Sequence, residues 1–242
     1  MQRLRTAIQL ATLRRLSVKP FRCPLCGPSL LVRLGENEVA IRCIKCHATP
    51  IAMSVGSVLR ARVPALELAT VYELSSRGPL HRYLQRHSKS LVSSQYVEGA
   101  VLGSTIAGVR VENVQRLTFP SNTFDVCTST EVFEHVADDQ QGFREVFRVL
   151  KPGGVLVFTV PIDLNAKTRE RARLVGGTLV HFAPPEYHRD PAKKQSPVFA
   201  FRNYGFDIVA RLNEAGFSQA EITHPPAADW FGYSRPVILA RK

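Results

Sequence analysis

The chain has 242 residues, 45% of them apolar and 21% charged. That size and composition build one α/β domain with a small appendage and exclude a largely disordered chain. No apolar run approaches the roughly eighteen residues of a membrane helix, which excludes a helical span. The formal charge of +12 is uneven, with a balance of +9 over residues 1–62 and +3 over residues 63–242.

The first twenty residues, "MQRLRTAIQLATLRRLSVKP", are basic and free of acids. Such a stretch reads as a transit peptide, or as a basic helix leading into the cysteine-rich segment that begins at once. A basic N-terminal module on a nearly neutral body points to a polyanionic partner or surface, although ordinary solvated charge accounts for it equally.

Four of the five cysteines pair off as Cys23-x-x-Cys26 and Cys43-x-x-Cys46, with sixteen residues between the pairs. Two such knuckles can close a tetrahedral thiolate shell, so the expected occupant is Zn2+. Four thiolates leave no open coordination position, which makes the metal structural. Cysteine use of this kind, without a secretory signal, fits a reducing cytoplasm. Cys127 lies in an apolar run and reads as a small buried hydrophobe.

In chain order, "LLVRL" and "VAIRC" alternate as a hairpin around "GEN", and "SVGSVLRARVP" reads as a connector. From Pro64 onward strand and helix signals alternate. "LATVYEL" is a strand, and a helix runs through His81 to His87. "SLVSSQY", "VRVEN" and "NTFDVCTSTEVF" hold three more strands. Phe143, Val146, Phe147 and Leu150 fall on one helical face, behind Asp138 and Asp139, where acids suit a helix start. "KPGG" stops that helix, and "VLVFTVP" is apolar throughout, like a strand covered on both faces. "YGFDIVARLNEAGF" reads as a last helix, and "SQAEIT" and "PVILARK" as closing strands. The alternation predicts an α/β fold, a mostly parallel sheet with helices on both faces. The expected domains are 1–62, the basic segment and zinc ribbon, and 63–242, the α/β domain. Within the latter the pattern lapses over 162–204, where a substrate lid is expected over the carboxyl ends of the strands.

The stretch "NVQRLTFPSNTFDVCTSTEVFEHVADDQQGFREVFRVLKPGGVLVFTVP" resembles the class I S-adenosylmethionine-dependent methyltransferases, in the branch with "FD…EVFEH" followed by "LKPGG". The resemblance covers roughly residues 66–240 and implies a Rossmann-like, seven-stranded sheet with a reversed last strand. It also implies S-adenosyl-L-methionine as cofactor. In that family the first strand ends in an acid and a glycine-rich turn; here Glu73 is the acid, and Ser75, Ser76 and Gly78 stand in the turn. Serine is small and can hydrogen-bond a carboxylate, and helix N-terminal N–H groups suit the methionine carboxylate. The second strand should end in a ribose-binding acid, where Gln95, followed by Tyr96, offers an amide without the charge. Asn113, with Val114 and Gln115, matches the adenine position. Thr128 and Ser129 fall where the family faces the reacting sulfur. His135 is the best-placed base on family grounds, and a capping or core-facing role is equally open to it. In the lid, Tyr187 and His188 belong to a polar cluster with His181, Glu186 and Asp190, suited to an acceptor, a second metal or merely a closing turn.

Three functions are compatible with these residues. The first is methyl transfer to a small-molecule acceptor. The second is methylation of RNA held by the basic zinc module, as in some ribosomal RNA methyltransferases. The third is a non-catalytic protein that binds cofactor or partner.

Overall fold

The computed structural model describes residues 16–188, 197–225 and 229–242. The first fifteen residues of the basic segment, Asp190 of the lid cluster, and the rest of 189–196 lie outside them.

Strands β1 (Ser17–Cys23), β2 (Gly27–Arg33) and β3 (Ile41–Cys43) form an antiparallel sheet in that order. The first cysteine knuckle is the turn between β1 and β2, and the second follows β3. Helix α1 (Pro50–Arg62) comes next. The expected connector is therefore a helix. Met53, Val55, Val58 and Leu59 are buried, and their core includes Leu31 and Cys43 on one side and Val71, Val155 and Leu239 on the other. A boundary at residue 62 divides the chain in sequence, but one apolar core runs across it.

The main sheet contains β4 (Thr70–Glu73), β5 (Ser90–Gln95), β6 (Thr105–Ile106), β7 (Val109–Val111), β8 (Phe124–Thr130) and β9 (Leu150–Thr159). Helix α2 (Pro79–His87) links β4 to β5, and α3 (Asp139–Val149) links β8 to β9. Among the described residues seven short strands lie in the insertion: β10 (Ile162–Asp163), β11 (Arg169–Glu170), β12 (Ala172–Val175), β13 (Thr178–His181), β14 (Tyr187–His188), β15 (Val198–Phe199) and β16 (Arg202–Gly205). Helix α4 (Ile208–Glu214) and strands β17 (Gln219–Thr223) and β18 (Val237–Arg241) close the chain.

The order across the sheet is β17-β18-β9-β8-β4-β5-β7-β6. The five central strands are parallel, and β18 runs antiparallel to both β9 and β17. The sheet has eight strands rather than the expected seven, because two residues, β6, fold back antiparallel on β7. Side chains alternate between the two faces: Val71, Val126, Val155 and Val157 pack on the side of α1 and α2, and Tyr72, Cys127, Leu156 and Phe158 on the side of α3 and α4. The chain leaves β4 toward β5 on one side and later returns to β8 on the other. The crevice at the carboxyl ends of β4 and β8 is thus the topological switch point, where open α/β sheets bind ligands.

The last helix, expected over "YGFDIVARLNEAGF", begins only at Ile208, and Tyr204 and Gly205 belong instead to β16. Arg202 and Tyr204 are buried on one side of this strand. Arg202 donates to the carbonyls of Phe133 (3.1 Å), Val136 (2.5 Å) and Ala137 (2.8 Å). The Tyr204 hydroxyl donates to Asp139 at 2.8 Å. A period-2 chain has won over helix propensity because these long-range partners alternate.

Candidate active site

Glu73 ends β4 and is buried at 1% exposure. Its carboxylate accepts the hydroxyl proton of Thr128 across the β4–β8 seam. Burial pushes Glu73 up to about 8, against this hydrogen bond, which lowers it. The loop then reaches Gly78, at φ +102° and ψ 178°, just before Pro79 opens α2. Side chains avoid that conformation, whereas neither Ser75 nor Ser76 takes a positive φ. Serine therefore costs this turn no strain, and the one glycine stands where a side chain could not. A Cβ built at position 78 meets nothing within 4 Å, so the backbone there is open to an approaching ligand.

Gln95 is half-buried at the end of β5, beside Val111 of β7, and Tyr96 is exposed. Asn113 uses its side-chain oxygen to accept from the Gln115 N–H at 2.9 Å. Gln115 in turn accepts from the backbone N–H of Asp138 at 2.8 Å, bracing the start of α3. Val114 packs into the core. Asn113 and Gln115 thus hold a turn beside the crevice.

At the ends of β8 and β9 several buried polar atoms lack a hydrogen-bond partner among the described residues: Ser129 Oγ, Thr159 Oγ1, one oxygen of Glu131 and both oxygens of Glu134. Buried polar groups are normally satisfied, so this concentration at strand ends marks a place prepared for a polar ligand. Glu131 sits at φ +53°, its N–H donating to Thr159 O at 2.9 Å. Burial pushes Glu131 up to about 7, against the opposing charge of Arg235. Arg235 stands 3.5 Å from Glu131 and also pairs with Glu38 of the ribbon. Thr159 and Arg235 carry no local motif; only the register of β9 with β8 and the return of the chain before β18 bring them here.

His135 ends a short turn, Phe133–His135, after β8. His188 lies on β14, whose exposed residue, Tyr187, packs edge-on to Phe199 with ring centroids 5.5 Å apart. His135 Nε2 lies 3.6 Å and His188 Nδ1 3.8 Å from the same oxygen of Glu134. Glu134 and Glu186 together push His188 up to about 9, against its partial burial. The two histidines, 53 positions apart, thus meet at one carboxylate, while Tyr187 faces out.

The four ribbon cysteines also cluster. Cys23 and Cys46 sulfurs are 3.7 Å apart, and those of Cys26 and Cys43 are 3.5 Å apart. A tetrahedral metal with bonds of about 2.3 Å to sulfur sets sulfurs roughly 3.8 Å apart. The group can therefore hold one metal ion.

Residues 75–158 match the family model described as a methyltransferase domain. A structure of an S-adenosylmethionine-dependent methyltransferase from Mesorhizobium loti superposes with a TM-score of 0.50 at 19% identity, covering 76% of this chain and 96% of that one. The fold is that of the S-adenosylmethionine-dependent methyltransferases. The ubiquinone/menaquinone biosynthesis C-methyltransferase UbiE of Cronobacter sakazakii is 45% identical over 53 residues, 21% of each chain. The sterol 24-C-methyltransferase erg6 of Aspergillus fumigatus is 28% identical over 147 residues, 57% of this chain and 34% of that one. The chain thus spans about a fifth to a third of the length of these curated relatives. No helix among the described residues is long and apolar enough to cross a membrane.

Proposed function

We propose that the protein transfers a methyl group from S-adenosyl-L-methionine to a small-molecule acceptor. The carrying observation is the loop from Glu73 to Gly78, opening at the topological switch point beside a set of unpartnered buried polar atoms. The residues fit the cofactor: a buried carboxyl for its ammonium group, an open glycine for backbone approach, and the first turn of α2 for its carboxylate. Gln95 would hold the ribose, with Tyr96 flanking it, and Asn113, Val114 and Gln115 would border the adenine. Thr128 and Ser129 line the end of β8 where the methyl group would be presented. When bound, the cofactor supplies an electrophilic methyl on a sulfonium; this chain's own task is to align the acceptor with it.

His135 and His188 are assigned to the acceptor's proton where the acceptor must lose one, and Tyr187 to the rim of the acceptor site. The small-molecule reading is supported by the names of the sterol and quinone relatives; RNA binding finds no support in these likenesses. The cysteine cluster is assigned a structural Zn2+, which its sulfur spacing fits.

The testing experiment is calorimetric titration with S-adenosylmethionine and S-adenosylhomocysteine, alongside Glu73→Ala. Saturable binding that Glu73→Ala abolishes is expected. Absence of binding by folded wild-type protein would refute the reading and favour a non-catalytic, partner-binding domain.

A further inference from the structure

The turn after β8 carries a carboxylate that the cofactor reading does not use. Glu134 is 1% exposed, and among the described residues neither of its oxygens has a hydrogen-bond partner. Burying a carboxylate in this way is unfavourable unless a cation completes it. Two nitrogens face it, His135 Nε2 at 3.6 Å and His188 Nδ1 at 3.8 Å, and the three donor atoms lie within 4.8 Å of one another.

The far side of each imidazole decides what the near side offers. His135 Nδ1 lies 2.8 Å from the carbonyl oxygen of Phe199, which can only accept, so Nδ1 carries the hydrogen. His188 Nε2 lies 2.9 Å from Glu186 Oε1, a carboxylate held in place by Arg171 at 3.0 Å. It too carries a hydrogen there. In the neutral form both rings then turn a lone pair toward Glu134. Three acceptors converging on one point repel one another unless a cation lies between them, either a metal ion or the proton that Glu134 and Glu186 favour on His188. Anchoring a metal-ligating histidine by its other nitrogen, to a carbonyl or a carboxylate, is the usual support of such a centre.

We propose that Glu134, His135 and His188 form a second metal site, for a divalent transition ion of the Mn2+, Fe2+ or Zn2+ class. Bonds of about 2.0–2.2 Å hold donors roughly 3.0–3.5 Å apart, so the two carboxylate–imidazole distances of 3.6 and 3.8 Å need to shorten by only a few tenths of an ångström, and the imidazole nitrogens, within 4.8 Å of each other, close further by side-chain rotation. One carboxylate and two imidazoles suit this class of ion, and three protein donors leave positions for water or an oxygen-bearing acceptor. The site differs in kind from the cysteine cluster, whose four thiolates close the shell. It does not depend on cofactor binding, and a bound ion would take the imidazole nitrogens otherwise assigned to the acceptor's proton.

The test counts metal in the purified full-length protein and then titrates it with Mn2+, a hard ion that does not displace Zn2+ from four thiolates. Binding is followed by calorimetry and by the Mn2+ paramagnetic resonance signal. One equivalent of metal is expected that Glu134→Gln and His188→Asn each weaken at least about tenfold. His224→Asn, at an exposed histidine elsewhere, should leave it unchanged. Circular dichroism checks that each variant folds, and His188, half-exposed, keeps the test available if Glu134→Gln does not. Absence of any metal equivalent sensitive to both substitutions would mean that a proton on His188 neutralises Glu134, and the proposal would be overturned.

Discussion

Arg202 Nη1 donates to the carbonyl oxygen of Val136 at 2.5 Å, joining a strand of the insertion to the turn that carries Glu134 and His135. The same guanidinium reaches Phe133 and Ala137, and its Nε stands 3.6 Å from Asp139. A residue from the far end of the lid therefore sets the shape of the turn at the end of β8.

Arg202→Met should strip three carbonyls of their donor and weaken a buried ion-pair network. A loss of about 3 kcal/mol or more is expected in urea unfolding. Arg211, which pairs with Asp139 at 2.6 Å and Glu170 at 3.1 Å, keeps both acids partly compensated. A loss within about 0.5 kcal/mol, the range of an ordinary surface substitution, would contradict this account.

Glu73 titrates at about 4.5 when exposed and at about 8 when folded. Between these values the native state holds a proton that the unfolded state has released, so stability falls as pH rises from about 4.5 to about 8. The slope contributed is at most about 1.4 kcal/mol per pH unit. Glu73→Gln should flatten thermal stability against pH over that window. Glu131, raised to about 7, contributes a slope of the same sign over a narrower window, from about 4.5 to about 7. On the proposed function, cofactor affinity should rise with pH toward 8, because the ammonium group selects the ionised carboxylate. Calorimetry in buffers of different ionisation enthalpy would detect the released proton.

Gly78→Ala places a methyl group in open space but in a backbone conformation that only glycine adopts easily. The expected cost is about 1–3 kcal/mol. At Gly205 the same change collides with the backbone of Ala166 to Thr168, so the cost there is steric and β16 must shift. Chemical denaturation of both variants, with S-adenosylmethionine titration of the first, separates strain from lost binding.

On the proposed zinc assignment, a strong chelator should lower the melting temperature of the whole protein in a single transition. Cys23, Leu31 and Cys43 share a core with Val58, Val71 and Leu239, so the ribbon cannot come apart without exposing the sheet. Two separate calorimetric transitions, with the second unchanged by chelation, would show that the ribbon is independent of the sheet.

Much of this was legible in the chain. The paired cysteines, the alternating strands and helices, Glu73 before a tight turn and the apolar run of β9 are local patterns with local causes. Gly78 could be read as the tight point of its turn because only glycine tolerates φ +102°. Helix α1 was missed as a helix because its apolar residues face two partners at once, which blurs the single stripe of a surface helix. β16 was misread because the partners of Arg202 and Tyr204 lie more than sixty residues away.

The sequence by itself determined the class of fold, the two cysteine pairs that cluster and the acid and glycine of the candidate cofactor loop. These are set by spacing along the chain, and backbone geometry carries spacing directly into shape. Only the tertiary structure decided that ribbon and sheet share a core, that Arg202 braces the turn after β8, and that Glu134, His135 and His188 meet. Each of those depends on side chains brought together across long sequence separations. Whether a buried carboxylate has a partner is settled by packing, which no local pattern encodes.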